Sequence, residues 1–192
     1  MSKLILASAS PRRAEILKQI GVDFQIEPAY IDETPMLQES PVDYVKRMAQ
    51  QKAQHVIDSI AGSSSVVLGA DTSVVLGCKI YGKPKNQQEA MAMLAALSGK
   101  THQVLTAVAM GNKQRCLLKF SATDVKFREL DPMECLDYWN TGEPADKAGG
   151  YAIQGLGAVF VEKISGSFSG VVGLPIEPVS YTHLTLPTIY SV

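Results

Sequence analysis

The chain has 192 residues, 46% apolar and 19% charged, enough to bury a core in one domain or in two closely joined lobes. A net charge of −1 argues against any general attraction to nucleic acid or an anionic membrane, so a basic site has to be a local cluster. Cys78, Cys116 and Cys135 are odd in number, widely spaced and without a CxxC pair, which points away from a disulfide framework or a zinc knuckle and toward packing or surface roles.

Leu4-Ile5-Leu6 is too brief for a signal-peptide core or a membrane span, which favours a cytoplasmic protein, and it is the kind of run that makes a strand. A helix follows, with Ser10 as N-cap, Pro11 at the first helical position and Gly21 as the stop. Arg12 and Arg13 then sit in a first turn whose free N–H groups are already positive, an arrangement that favours an anion there. Residues 22–26 alternate like a strand, and the acidic turn Asp32-Glu33-Thr34-Pro35 follows. Ser40-Pro41 repeats the cap-and-proline start and opens a long helix with apolar positions at Val45, Met48, Ala49, Ala53, Val56, Ile57 and Ile60, stopped by Gly62-Ser63-Ser64-Ser65.

Val66-Val67-Leu68 reads as a short buried strand leading into Gly69-Ala70-Asp71-Thr72, with residues 73–76 and 79–81 as the arms of a hairpin. Asn86 caps a helix to Leu97, residues 103–110 and 115–125 are strands joined by a turn, and Asp131-Pro132 opens a helix to about Asn140. The glycine-dense stretch 148–157 is a loop, and residues 158–164 and 168–172 flank the turn Ser165-Gly166-Ser167. Strands and helices alternate early and hairpins crowd the middle, which predicts an α/β fold with a mixed sheet. The last 14 residues, 179–192, are threonine-rich and β-prone and read as a poorly ordered or non-native end, or as a short strand.

Two stretches imitate a phosphate-binding P-loop and fail. In Gly77-Cys78-Lys79-Ile80-Tyr81-Gly82-Lys83-Pro84 a proline takes the metal-binding hydroxyl's place, and before Ser98-Gly99-Lys100-Thr101 a leucine, Leu94, replaces the first glycine. No strand leads through GxGxxG into a helix, and neither GxSxG nor HExxH is present. What remains is a dispersed set of charged residues. Asp71, after a buried run, can bind a divalent cation or take a proton from water; it also suits a turn aspartate capping Ser73. Lys83 and Lys147 sit in tight turns where each can meet a phosphate or lie in solvent, and Lys52 has to extend from near the apolar face of its helix. Glu33 can supply a second metal carboxylate or simply an acid approaching a helix. With Arg12 and Arg13, these residues are what a metal-assisted polyphosphate site needs.

In order, Ser8-Ala9-Ser10-Pro11-Arg12-Arg13, Gly69-Ala70-Asp71-Thr72, Gly82-Lys83-Pro84, Leu97-Ser98-Gly99-Lys100-Thr101-His102, Asp146-Lys147-Ala148-Gly149-Gly150-Tyr151 and Ile153-Gln154-Gly155 resemble the motifs of the Maf nucleotide pyrophosphatases, also called septum-formation inhibitor proteins. The resemblance runs from Leu4 to about Pro175. It implies an inosine-triphosphatase-like mixed α/β fold with two lobes around a cleft, and hydrolysis of a nucleoside triphosphate to the monophosphate and pyrophosphate with Mg²⁺ or Mn²⁺. It further implies Asp71 as proton acceptor, Ser8, Arg13, Lys52, Lys83 and Lys147 as phosphate-binding residues, and Glu33 with Asp71 as metal carboxylates.

Arg12, Thr72 and Gln154 match the family branch that acts on dTTP and UTP. An amide at Gln154 offers a donor and an acceptor to the alternating edge of a pyrimidine. The same reaction on methylated GTP and a non-catalytic, nucleotide-binding regulator of cell division are the alternatives. The expected partner is a nucleoside triphosphate, without nucleic acid or membrane, and a homodimer is left open. Residues 1–178 then make one domain, from which the tail departs, since nothing in residues 179–192 matches the family's terminal helix.

Overall fold

In the computed structural model, which describes residues 4–60 and 65–177, seven strands form a mixed sheet. β1 (Leu4–Ala7) leads through α1 (Pro11–Gln19) to β2 (Phe24–Ile26), and β2 leads through α2 (Pro41–Ser59) to β3 (Val66–Leu76). β1 lies between β2 and β3 and runs parallel to both. The chain thus leaves β1 toward one edge and returns past it to the other side. The two crossover helices consequently pack on opposite faces: Ala14, Ile16 and Leu17 of α1 join Leu4, Leu6 and Leu68, whereas Val45, Ala49, Ala53 and Val56 of α2 join Ile5, Ala7 and Val67.

From β3 onward the sheet is antiparallel. β4 (Lys79–Tyr81) folds back on the end of β3, α3 (Gln87–Leu97) follows, and β5 (Thr101–Gly111) and β6 (Cys116–Phe127) continue the sheet. α4 (Pro132–Asn140), β7 (Val161–Ser165) and α5 (Phe168–Val172) complete it, giving the order β2-β1-β3-β5-β6-β7 with β4 beside β3. β1 pairs with β3 only as far as Gly69, and β4 pairs only from Val74. Residues 70–73 therefore have neither strand on that edge, and a cleft opens there, beyond the carboxyl end of β1, where the strand order reverses.

Local chemistry explains most helix ends. The Ser40 and Asn86 side chains accept from the backbone N–H groups of Asp43 and Glu89, and Asp131 with Glu134 forms a reciprocal capping box. Ser10 differs: its side chain makes no capping bond, and its own N–H donates to the Ser8 hydroxyl at 3.2 Å. Two further expectations change. β3 runs unbroken through Asp71, because β5 pairs with it from Val67 to Val75; Asp71 is a mid-strand residue, not the end of a strand. Residues 168–172 are helical, because Gly166, at φ 130°, turns the chain off the sheet and the Ser167 hydroxyl accepts from the Gly170 N–H. The tail, residues 179–192, and the helix stop at residues 62–64 lie outside the described residues.

β3 meets α2 at backbone distance. A Cβ on Gly69 would lie 2.5 Å from the Ala49 carbonyl oxygen and 2.6 Å from the Ala53 nitrogen. Gly69→Ala is expected to push α2 off the sheet and cost about 1–3 kcal/mol, read as a lower urea midpoint with an unchanged slope.

A buried histidine makes the stability depend on pH. His102 on β5 is 1% exposed, lies edge-on to Phe127 and Tyr151, and has Nε2 2.8 Å from the Tyr151 hydroxyl, while Nδ1 has no partner. Burial pushes its pKa down to about 4, so the unfolded chain takes up the proton first as pH falls. Its contribution to stability is complete above pH ~6.5 and lost toward pH ~4, on the order of 3 kcal/mol. In His102→Phe, the loss of stability between those pH values is expected to be correspondingly shallower in denaturant titrations.

Candidate active site

Lys52 lies on the inner face of α2, beside the buried Met48 and Ala53, and is itself 8% exposed. Gly69 lets that helix settle on β3, and two residues along the same face of the strand stands Asp71. The Lys52 ammonium is 2.7 Å from Asp71 Oδ1 and 2.7 Å from Glu33 Oε1, so one buried cation gathers two carboxylates from separate parts of the chain. The Ser73 hydroxyl stands 3.5 Å from Asp71 Oδ2 as its neighbour along the strand face, in place of a turn capped by Asp71.

Glu33 comes from the irregular segment between β2 and α2, and the first turns of α2 hold that segment down. Tyr44 donates to the Glu33 carbonyl at 2.9 Å, Arg47 donates to the Thr34 carbonyl at 3.1 Å, and Arg47 grips Glu39 through two bonds of 2.6 Å. The Arg47 guanidinium holds the Glu39 carboxyl down at about 2. Burial, with the charges of Asp71 and Glu33, pushes the Tyr44 phenol up to about 12, so Tyr44 stays a donor at neutral pH.

The opposite face of β3 carries Thr72 and the guanidinium of Arg13. Arg13 donates through Nε to the Gly173 carbonyl at 2.9 Å, through Nη1 to the Ser8 hydroxyl at 2.9 Å and through Nη2 to the Thr72 hydroxyl at 3.2 Å. It ties α1, β3 and the end of α5 together. Burial lowers its pKa, and the Asp71 charge works against that shift. Each Nη retains a further N–H, so the guanidinium still has donors for a ligand.

Arg13, Glu33, Tyr44, Lys52, Asp71, Thr72 and Ser73 line a cavity of about 370 Å³ together with Arg12, Lys83, Lys147 and Gln154. The Gly149 N–H donates to the Gly82 carbonyl at 3.0 Å, which joins the turn of Lys83 to the turn of Lys147. Gly149 has φ +70° and rests on Val74, where a side chain would collide. Asp146 sits among the rim cations, 3.6 Å from Arg12 and hydrogen-bonded to Lys147.

Of the residues singled out in the sequence, Arg12, Arg13, Glu33, Lys52, Asp71, Thr72, Lys83, Lys147 and Gln154 all line the cavity. Ser8 does not; it lies behind Arg13 as its acceptor. Tyr44, Ser73, Asp146 and Tyr151 also line it. Ser73 was findable by period-two alternation from Asp71 once the strand was known to continue, whereas Tyr44 carries no signal beyond its place on the inner face of a helix. Among the described residues no group of three or more His, Cys, Asp or Glu side chains could hold a metal ion. Glu33 Oε1 and Asp71 Oδ1 converge on the Lys52 ammonium, and each carboxylate has a second oxygen of the ligand type that a Mg²⁺-like ion takes. Among the described residues, no helix is long and apolar enough to cross a membrane.

The chain is similar to proteins of known name. It is 50% identical over 175 residues to a dTTP/UTP pyrophosphatase of Saccharophagus degradans, covering 90% of this chain and 83% of that protein. With a dTTP/UTP pyrophosphatase of Alcanivorax borkumensis the identity is 53% over 175 residues, covering 91% and 90%. Among solved structures, the Ham1 protein of Staphylococcus aureus shares the fold with a TM-score of 0.50 at 12% identity, over 83% of this chain and 80% of that one. The family model described as Maf-like protein matches residues 3–183, and with relatives at about half identity over nine-tenths of its length the chain belongs to the Maf-like family.

Proposed function

We propose that the protein is a nucleoside triphosphate pyrophosphatase that hydrolyses dTTP and UTP to the monophosphate and pyrophosphate. The observation that carries this reading is the Lys52 ammonium, 2.7 Å from both Asp71 and Glu33, in a cleft whose other walls bear Arg12, Arg13, Lys83 and Lys147. A polyphosphate needs such a cationic surround, and water needs a carboxylate to take its proton. The names of the relatives supply the base. On this reading, residues 1–178 work as one catalytic domain.

Asp71 Oδ1 is held by Lys52, which leaves Oδ2, more weakly engaged by Ser73, to take the proton of water as its oxygen attacks the α-phosphorus. The bond from that phosphorus to the bridging oxygen breaks, and pyrophosphate leaves with its charge balanced by Lys83, Lys147 and the free donors of Arg13. A divalent cation held by Glu33 and Asp71 would neutralise phosphate oxygens during that transfer. Lys52 fixes the orientation of Asp71 and so keeps its second oxygen in place.

Arg12, Thr72 and Gln154 are assigned to the base. Gln154 is exposed on the cavity wall, free to present an amide donor and acceptor to the O4 and N3–H edge of thymine or uracil. Arg13 and Ser8 are assigned to phosphate, Ser8 acting through Arg13.

Asp71→Asn is expected to keep the fold and nucleotide binding, with a lower melting temperature because the buried Lys52 ammonium is left with Glu33 alone, while pyrophosphate release falls at least about a hundredfold, and chelation of divalent cations is expected to silence the wild type in the same assay. Full turnover by Asp71→Asn would remove the proposed base. Arg12→Trp is expected to change the ranking of triphosphates more than the best rate. Arg13→Ala is expected to do the reverse, lowering kcat/KM by about a hundredfold on every triphosphate and also the melting temperature.

A further inference from the structure

Residues 152–157 form the loop that carries Gln154; residues 152–154 of it line the cleft as one wall, and the whole loop lies outside the sheet. Two side chains from α4 and the turn after it hold this wall by its backbone. The Tyr138 hydroxyl accepts from the Ala152 N–H at 3.0 Å and donates to Glu143 Oε1 at 2.7 Å. Glu143 in turn accepts from the Gly157 N–H at 3.0 Å and from the Leu156 N–H at 2.9 Å. The bonded amides bracket Gln154 on both sides, and phenol and carboxylate act as one clamp.

The fit is close on the loop side. A Cβ on Gly157 would lie 2.6 Å from the Tyr138 hydroxyl, and one on Gly155 would overlap the Glu143 carboxylate. Burial works against the charged form of Glu143, but the bonds from Tyr138, Gly157 and Leu156 outweigh it and hold the carboxyl below its ordinary value. The acceptor therefore stays anionic at neutral pH. Tyr138 and Glu143 are not among the residues lining the cavity; they reach a bound nucleotide through the loop they hold, and the Glu143 charge is also felt by Lys147, a reach that Tyr138→Phe does not remove.

We propose that Glu143 and Tyr138 are positioning residues for base selection: by fixing the amides of Ala152, Leu156 and Gly157 they set the place from which Gln154 reads the pyrimidine edge. This rests on the assignment of Gln154 to the base made above. Asp71 and Lys52 ride on β3 and α2, neither of which bonds to the clamp through these groups, so loosening the clamp shifts the base reader and leaves the proton acceptor where it is. Discrimination between bases then falls while the chemistry persists.

The test compares kcat and KM for dTTP and GTP in the wild type, Gln154→Ala, Glu143→Ala, Glu143→Gln and Tyr138→Phe, with melting temperatures alongside. The ratio of kcat/KM for dTTP over GTP is expected to fall about tenfold in Gln154→Ala and by a similar factor in Glu143→Ala and Tyr138→Phe, chiefly through a higher KM for dTTP. Glu143→Gln, which keeps one acceptor oxygen, is expected to fall between these and the wild type. A merely structural role would lower kcat on both substrates by one factor, through the active fraction, and leave KM and the ratio unchanged. An unchanged ratio in the Glu143 and Tyr138 variants beside a reduced ratio in Gln154→Ala overturns the clamp. An unchanged ratio in Gln154→Ala overturns the base assignment and the clamp's role with it. If Glu143→Ala does not fold, Glu143→Gln and Tyr138→Phe, which nearly preserve side-chain volume, decide the outcome.

Discussion

α2 rests directly on the backbone of β3 at Gly69, and the rest of the site is arranged around that contact. With no side chain between them, the Ala49 carbonyl and the Ala53 nitrogen come within van der Waals reach of the strand. Lys52, the residue before Ala53, is thereby buried where its ammonium can be stabilised only by anions, and Asp71 and Glu33 meet it. Removing an ammonium from water costs several kcal/mol, which two close carboxylates offset where one exposed partner would not. Packing and chemistry are the same event here: the contact that closes one core also orients the proposed proton acceptor.

Arg13 plays the corresponding part on the other face. Its three bonds tie Ser8 after β1, Thr72 on β3 and the Gly173 carbonyl after α5, joining segments far apart in the chain beside an edge of β3 that neither β1 nor β4 covers. That uncovered edge is the opening of the cleft. A sheet edge is ordinarily a liability for aggregation, and here charged side chains and the turns bearing Lys83 and Lys147 shelter it. The cations of the rim already have internal acidic company, since Asp146 engages both Arg12 and Lys147. On the proposed function, a phosphate entering the cleft would meet cations gathered in advance, which lowers the cost of ordering them.

Much of the architecture is legible in local chemistry. Ser40-Pro41, Asn86 and Asp131-Pro132 mark helix starts whose side-chain caps form as their residue types dictate. Ser10 has the same residue type and makes no cap; its N–H instead donates to the Ser8 hydroxyl, which also accepts from Arg13. Residues 168–172 are as rich in β-branched and aromatic side chains as a strand, yet the Ser167 hydroxyl and the turn at Gly166 fold them into a short helix. The break expected at Asp71 vanishes because a partner strand pairs along the whole of β3, a long-range fact that no window of residues around Asp71 contains.

By itself the sequence determined which residue types were present for polyphosphate chemistry, in which turns and helices they would sit, and which family they belong with, since capping, turn formation and motif spacing act over a few residues. Only the tertiary structure decided that Lys52 faces Asp71 and Glu33, that Ser8 serves Arg13 from behind the cleft, and that Tyr138 and Glu143 hold the loop of Gln154. Those pairings depend on how closely one helix approaches one strand and on where a loop's amides fall, and distances of that kind are set by the packing of the whole chain.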